Sequence, residues 1–109
     1  MSAYAIGWLR QVRMGPEIVR YLEEIDATLA PFGGRFRIHG GLAEVLEGEW
    51  IGDLVAIEFP SKKHASDWYA SDAYRAIAAL RTQNSRSVVF LVDGVDETHR
   101  ATDGLSPAA

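Results

Sequence analysis

Glu58 is the only charged side chain in the run Leu54-Val55-Ala56-Ile57-Glu58-Phe59. An ionised carboxylate in such a strand is costly unless it is paired or hydrogen-bonded. In a dry cavity its pKa would rise and it could serve as a general base. It could equally be a structural carboxylate held by Arg37, Arg10 or the cap at Ser61, and this reading weighs more because ion-pair networks perturb carboxylates as readily as catalysis does. His39 is the second candidate. It ends a short apolar segment just before Gly40-Gly41, and a bend there would aim the imidazole into a site where it could move protons near neutral pH. The plainer reading is an edge-strand histidine in water or at a subunit seam. His64 belongs to Ser61-Lys62-Lys63-His64, a positive run at a helix start that could take a phosphate or carboxylate, although a solvated helix end is favoured. Two histidines and a carboxylate can hold iron, but Glu58, His39 and His64 lack a short recognised spacing, so no metal is assigned. His99 falls in a polar tail, and no histidine stands out as a haem ligand.

Cysteine is absent, which excludes disulfides, thiolate metal sites and cysteine nucleophiles. Phosphate-binding glycine loops, metalloprotease histidine pairs and nucleophile elbows are also missing. No cofactor is expected. Trp8, Trp50, Trp68, Tyr69 and Tyr74 could line a pocket for a flat or apolar ligand. Trp68 or Tyr74 is expected in the core, and Trp8 or Tyr69 is expected to face the cavity. The expected ligand pocket is Trp8, Arg37, Tyr69 and Trp50.

The elements that must position these groups follow from periodicity. Ala3 to Val12 reads as a strand with Tyr4, Ile6 and Trp8 on one face and the small Ala5 and Gly7, with Leu9, on the other, over which a helix could lie closely. Gly15-Pro16-Glu17 opens a helix, since proline suits the first position and an acid favours that end. Ile18, Leu22, Ile25 and Leu29 give it an apolar stripe, and Pro31 with Gly33-Gly34 ends it. Arg35 to His39 is a second strand, with Phe36 and Ile38 expected on one face and Arg35, Arg37 and His39 on the other. Gly40-Gly41 interrupts it, and Ala43 to Glu47 resume an extended pattern before a turn from Gly48 to Asp53. Leu54 to Phe59 suits a central strand covered on both faces. Ser61 caps a helix in which Ala65, Trp68 and Tyr69 share a face, and Ser71-Asp72 restarts it with Tyr74, Ile77 and Ala78 inward. Val88 to Val92 is the last strand. Val95 to Ala109 is polar and lacks periodicity, as a flexible tail would.

The chain has 109 residues, 48% of them hydrophobic, enough for one domain with a real core. Residues 1–94 are expected to form it and residues 95–109 the tail. A net charge of -4 with 11 dispersed basic residues argues against nucleic acid. The apolar runs are strand-sized, far below the roughly 20 residues of a membrane helix, and the start lacks a signal-peptide pattern. Cysteine-free composition fits the cytoplasm.

Strand, helix, strand, strand, helix, strand with right-handed crossovers is an α+β chain, a ferredoxin-like βαββαβ sandwich with an antiparallel sheet. Helices on one face leave the other bare, with Tyr4, Ile6 and Trp8 projecting from it. Such a patch exceeds what soluble monomers usually expose. Pairing of two sheets about 10 Å apart would bury it, so a homodimer is expected.

Gly33-Gly34-Arg35-Phe36, Gly40-Gly41, Val45-Leu46-Glu47-Gly48, Trp50, Glu58-Phe59-Pro60-Ser61, Ala65, Trp68-Tyr69, Ser71 and Tyr74 together resemble one family of bacterial proteins. That family is a domain of unknown function within the dimeric α/β-barrel superfamily, and the resemblance spans about residues 3 to 94. It implies a ferredoxin-like protomer whose sheet pairs with a second copy to form a barrel, with a pocket between sheet and helices. The superfamily also holds cofactor-free monooxygenases, isomerases, haem-dependent chlorite dismutases and stress-induced proteins, so shared shape supplies no reaction. Three readings follow: a dimer that binds a small molecule; a cofactor-independent monooxygenase or isomerase acting on an aromatic or polyketide-like substrate, with Glu58 or His39 as base; and a structural interaction module.

Overall fold

The computed structural model describes residues 1–105. Four antiparallel strands, β1 (Ala3–Arg10), β2 (Arg35–His39), β3 (Asp53–Phe59) and β4 (Arg86–Asp93), form one sheet in the order β2-β3-β1-β4. Helices α1 (Pro16–Leu29), α2 (Lys62–Ala70) and α3 (Asp72–Thr82) supply the two crossovers. This is the ferredoxin-like arrangement expected from the element order, with the first and third strands adjacent at the centre. Residues 106–109 of the expected tail lie outside the described residues. From Val95 to Leu105 the chain is exposed, with a short 3-10 turn at Ala101–Leu105.

Local sequence accounts for the element ends. Pro16 opens α1 where a missing N–H has no cost, and Glu17 sits in its first turn. A 3-10 turn over Ala30–Phe32 follows, and Gly33 ends it in the left-handed region at φ 70, which lets the Gly34 N–H donate back to the Leu29 carbonyl at 3.2 Å. The Ser61 hydroxyl accepts from the His64 N–H at 3.1 Å and the Ser71 hydroxyl from the Tyr74 N–H at 3.2 Å. The second crossover is therefore two helices meeting at Ser71, whose extended backbone turns the chain between them. The first strand is shorter than expected, because Gln11 turns to φ 51 and ends it.

The core lies between the sheet and the helices. Ala5, Ile25, Leu29, Ile57, Phe59, Ala65, Trp68, Tyr74 and Ile77 are among its buried members. On α1 the inward stripe is Ile18, Tyr21, Ile25, Thr28 and Leu29, so Tyr21 takes the place expected for Leu22, which is 41% exposed at the flank. A helix advances about 100° per residue, and Tyr21 lies nearer than Leu22 to the centre of the stripe set by Ile18, Ile25, Thr28 and Leu29.

Two further expectations are corrected. Ala43 to Glu47 form no strand; β3 begins only at Asp53, so this stretch has no cross-strand partner. In β2, Phe36 pairs with Ile57 and Ile38 with Ala56, so two residues of one strand are spanned by one step of the other. This β-bulge resets the alternation: Phe36 and His39 face the helices, while Ile38 joins the open face.

The open face carries Tyr4, Ile6 and Trp8 in the centre, as the strand pattern implies, flanked by Val88, Phe90 and Val92 of β4 and by Glu58 of β3. Phe90 is 48% exposed there and Ile38 44%.

Candidate functional site

Helix α2 lies close over β1, the strand that carries the small residues Ala5 and Gly7. These two residues floor a cavity of about 240 Å3 between the helix side of the sheet and α1, α2 and α3. Its walls are mostly apolar: Leu9, Val55, Ile57 and Val89 from the sheet, Ile18, Leu22 and Ile25 from α1, and Trp68 from α2. Val12 and Met14 of the β1–α1 connection also border it, and Met14 is exposed. Phe36, His39 and Asp53 border it from the β2–β3 end. A β-bulge has thus brought His39 into the cavity wall, where its ring stacks on Phe36 with centroids 4.5 Å apart.

Polar groups gather at Tyr21, Tyr74 and Arg81. The two phenol oxygens lie 2.8 Å apart, the Arg81 Nε donates to Tyr74 Oη at 3.4 Å, and Arg81 Nη1 donates to Ser87 Oγ at 2.6 Å. All three of Tyr21, Tyr74 and Arg81 line the cavity. Burial, reinforced by Tyr74, pushes the Tyr21 phenol far above its ordinary value of 10.0, against a smaller opposing pull from Arg81. Burial works against the charge of Arg81, but the Tyr74 and Tyr21 oxygens more than offset it, so its pKa is raised. Nearby, the Trp68 Nε1–H donates to Thr28 Oγ1 at 2.9 Å, and Thr28 donates on to the Ile25 carbonyl at 2.7 Å. Trp68 and Tyr74 are both buried, and both also form cavity wall.

Glu58 lies elsewhere. It pairs across strands with Tyr4 and Arg35, whereas His39 pairs with Val55, so the two candidates point to opposite sides of the sheet. Tyr4 Oη donates to Glu58 at 3.4 Å, and Arg35 and Arg37 each approach it at 3.5 Å. The Ser2 hydroxyl, then Arg37 and Arg35, hold its carboxyl below the ordinary 4.5, outweighing the opposite effect of burial. A general base here would need a raised pKa; the geometry supplies donors and cations instead. Arg10 does not reach Glu58.

The expected pocket set is dispersed. Trp8 and Trp50 do meet, with ring centroids 5.8 Å apart, and Arg10 sits 4.1 Å above the Trp8 ring. Trp8 Nε1 donates to the Ile51 carbonyl at 2.8 Å. Gly52 at φ 99 lets the loop pass against β1, since a Cβ there would collide with the Leu9 carbonyl. This stack pins the long β2–β3 loop and does not border the helix-side cavity. Arg37 lies with Glu58. Tyr69 borders a second, more open cavity of about 490 Å3 with Arg10, Arg81, Arg86 and Ser87. The His64 ring is within 2.6 Å of Ser61 Oγ and Lys63 pairs with Asp67 at 2.8 Å, so two members of the positive run have partners at the start of their own helix. Among the described residues, no three side chains of metal-binding type cluster.

Tyr21 and Arg81 were not singled out from sequence. Arg81 follows Tyr74 and Ile77 at helical spacing, so a charge on an inward stripe was the available signal.

The arrangement defines a ferredoxin-like α+β protein with a cavity between sheet and helices. The chain belongs to the family described as Domain of unknown function (DUF1330), whose model matches residues 2–95. No curated protein matches the sequence. Solved structures share the fold. A protein of unknown function from Rhodopseudomonas palustris is 16% identical with a TM-score of 0.64, over 87% of this chain and 83% of that one. A dimeric ferredoxin-like protein of unknown function from a Jannaschia species is 12% identical with a TM-score of 0.61, over 86% and 100%. A point variant of SnoaB, a cofactor-independent oxygenase from Streptomyces nogalater, is 13% identical with a TM-score of 0.52, over 91% and 98%. Among the described residues, no helix is long and apolar enough to cross a membrane.

Proposed function

We propose that this protein is a bacterial, cytoplasmic homodimer that binds a small molecule in the cavity between its sheet and helices. The observation that carries this reading is the cavity itself, about 240 Å3, apolar on most sides and meeting the Tyr21–Tyr74–Arg81 cluster. A largely apolar pocket with a few convergent polar groups is the usual form of a ligand site. Dimerisation is supported by the open face. Val88, Phe90 and Val92 are 44%, 48% and 42% exposed on one strand, and a second sheet packed on them would remove that surface from water. The Jannaschia relative of the fold is described as dimeric. In this reading Glu58, Arg35 and Arg37 are structural groups at the edge of the paired faces, and the Trp8–Trp50 stack anchors the loop.

The test joins a thermal-shift screen of small molecules with sedimentation of the purified protein. Ligand-dependent stabilisation of a two-subunit species is expected. A lone subunit at micromolar concentration would remove the dimer, and stabilisation by no compound would remove the pocket.

A second reading is a cofactor-independent monooxygenase or isomerase acting on an aromatic or polyketide-like substrate, with His39 as the base. Its support is the position of His39 in the cavity wall, together with the oxygenase among the fold relatives. Turnover that disappears in His39→Gln while binding persists would favour it.

A further inference from the structure

Arg81 is 5% exposed, and among the described residues no carboxylate lies within ion-pairing distance of it. Its side-chain partners are neutral hydroxyls, Tyr74 at 3.4 Å and Ser87 at 2.6 Å. A guanidinium carries five N–H donors and no acceptor. Tyr21 and Tyr74 add a phenolic proton each, and only one of these is used in the bond between them. Against these donors stand the hydroxyl oxygens of Tyr21, Tyr74 and Ser87. The cluster is rich in donors and short of lone pairs and negative charge.

The other side of Arg81 deepens the imbalance. It borders the second cavity together with Arg10 and Arg86, and no Asp or Glu lines that cavity. Arg10 and Arg86 are direct cross-strand partners, an unfavourable pairing of like charges. The Arg10 Nε is buried without a partner. Three arginines thus border one open cavity that, among the described residues, no acid lines, in a chain whose net charge is -4.

We propose that the helix-side cavity takes an amphipathic organic anion, a monocarboxylate or an anion of similar shape. The anionic group sits on Arg81 and the Tyr21–Tyr74 hydroxyls, and its apolar body lies against Ile18, Leu22 and Ile25. This rests on the pocket reading above and names the ligand class for the same cavity. The ligand supplies the acceptors that the cluster lacks, and Arg10 and Arg86 add positive potential behind Arg81. Size sets a bound. A cavity of roughly 150 Å3 accommodates benzene, so about 240 Å3 suits one ring with a short side chain, or an aliphatic chain of similar volume. His39 and Asp53 are the other titratable groups bordering the space.

The test is calorimetric titration at neutral pH with phenylacetate and hexanoate against their neutral analogues, phenylacetamide and hexanamide. The carboxylates should bind about tenfold more tightly than the amides, the scale of one charge-assisted contact. Arg81→Met should abolish that preference while leaving amide binding in place. Arg86→Gln, at an exposed position, should reduce it by a smaller factor that fades with salt. Equal binding of acids and amides by the unaltered protein would overturn the anion assignment and leave the pocket standing, and this comparison needs no folded variant. Failure of both series at millimolar concentration would overturn the pocket reading as well.

Discussion

The hydroxyl oxygens of Tyr21 on α1 and Tyr74 on α3 lie 2.8 Å apart, with their rings edge to face at 75°. The pair ties together two helices that are separate in sequence and pack against the same side of the sheet. Arg81 joins the tie through Tyr74 and carries it to Ser87 at the start of β4. The same atoms line the cavity, so the groups that hold the wall together are also those a ligand would meet.

Tyr74→Phe should therefore cost stability as well as binding. It removes one hydroxyl and so takes a hydrogen-bond partner from both Tyr21 and Arg81, which is worth about 1–3 kcal/mol. Chemical denaturation would measure it; an unchanged midpoint and slope would show that the hydroxyl pair contributes nothing.

Alkaline pH should act through Tyr21. Its folded-state pKa is raised, so its contribution to stability is complete below the ordinary 10.0 and is lost as pH climbs beyond it, because only the unfolded chain releases the proton easily. Thermal melts should fall above that pH, and Tyr21→Phe should flatten the fall. An equally steep decline in the variant would place the cause elsewhere.

Glu58 predicts the opposite limb. Its folded-state pKa is lowered, so the stabilisation is present above the ordinary 4.5 and disappears as pH drops through the folded value. Glu58→Gln should weaken this acid dependence of the melting temperature and leave binding in the helix-side cavity unchanged. Loss of binding in that variant would mean that the site spans the sheet.

Phe90→Glu tests the open face. A carboxylate placed between two packed sheets without a partner should weaken the dimer by on the order of 3 kcal/mol or more per protomer. Sedimentation equilibrium would detect single subunits; an undisturbed dimer would show that the subunits meet through another surface.

Much of this architecture was legible in the residues. Pro16, Ser61 and Ser71 mark helix starts by hydrogen-bonding needs that are local, and Tyr4, Ile6 and Trp8 alternate with small residues by simple strand geometry. The site was less legible for reasons that are not local. The bulge beside Arg37 exists only in the pairing of β2 with β3, and it moves His39 to the face opposite the one its parity with Arg35 implied. For Glu58, Arg37 was among the partners the residues suggested, but Ser2, Tyr4 and Arg35 come from segments that only the fold brings alongside it. Ala43 to Glu47 had strand-like residues but no strand to pair with. Arg81 reads as an ordinary helix-end arginine until its stripe with Tyr74 and Ile77 is seen to face inward.

The location of the site is tested most directly by backbone amide shifts in heteronuclear NMR, recorded while the best compound from the thermal-shift screen is titrated in. Shifts should concentrate at Tyr21, Leu22, Ile25, His39 and Val55, which border the helix-side cavity, and should spare Tyr4, Arg35 and Glu58. Perturbations centred on Tyr4, Arg37 and Glu58 would put the ligand on the open face and contradict the account.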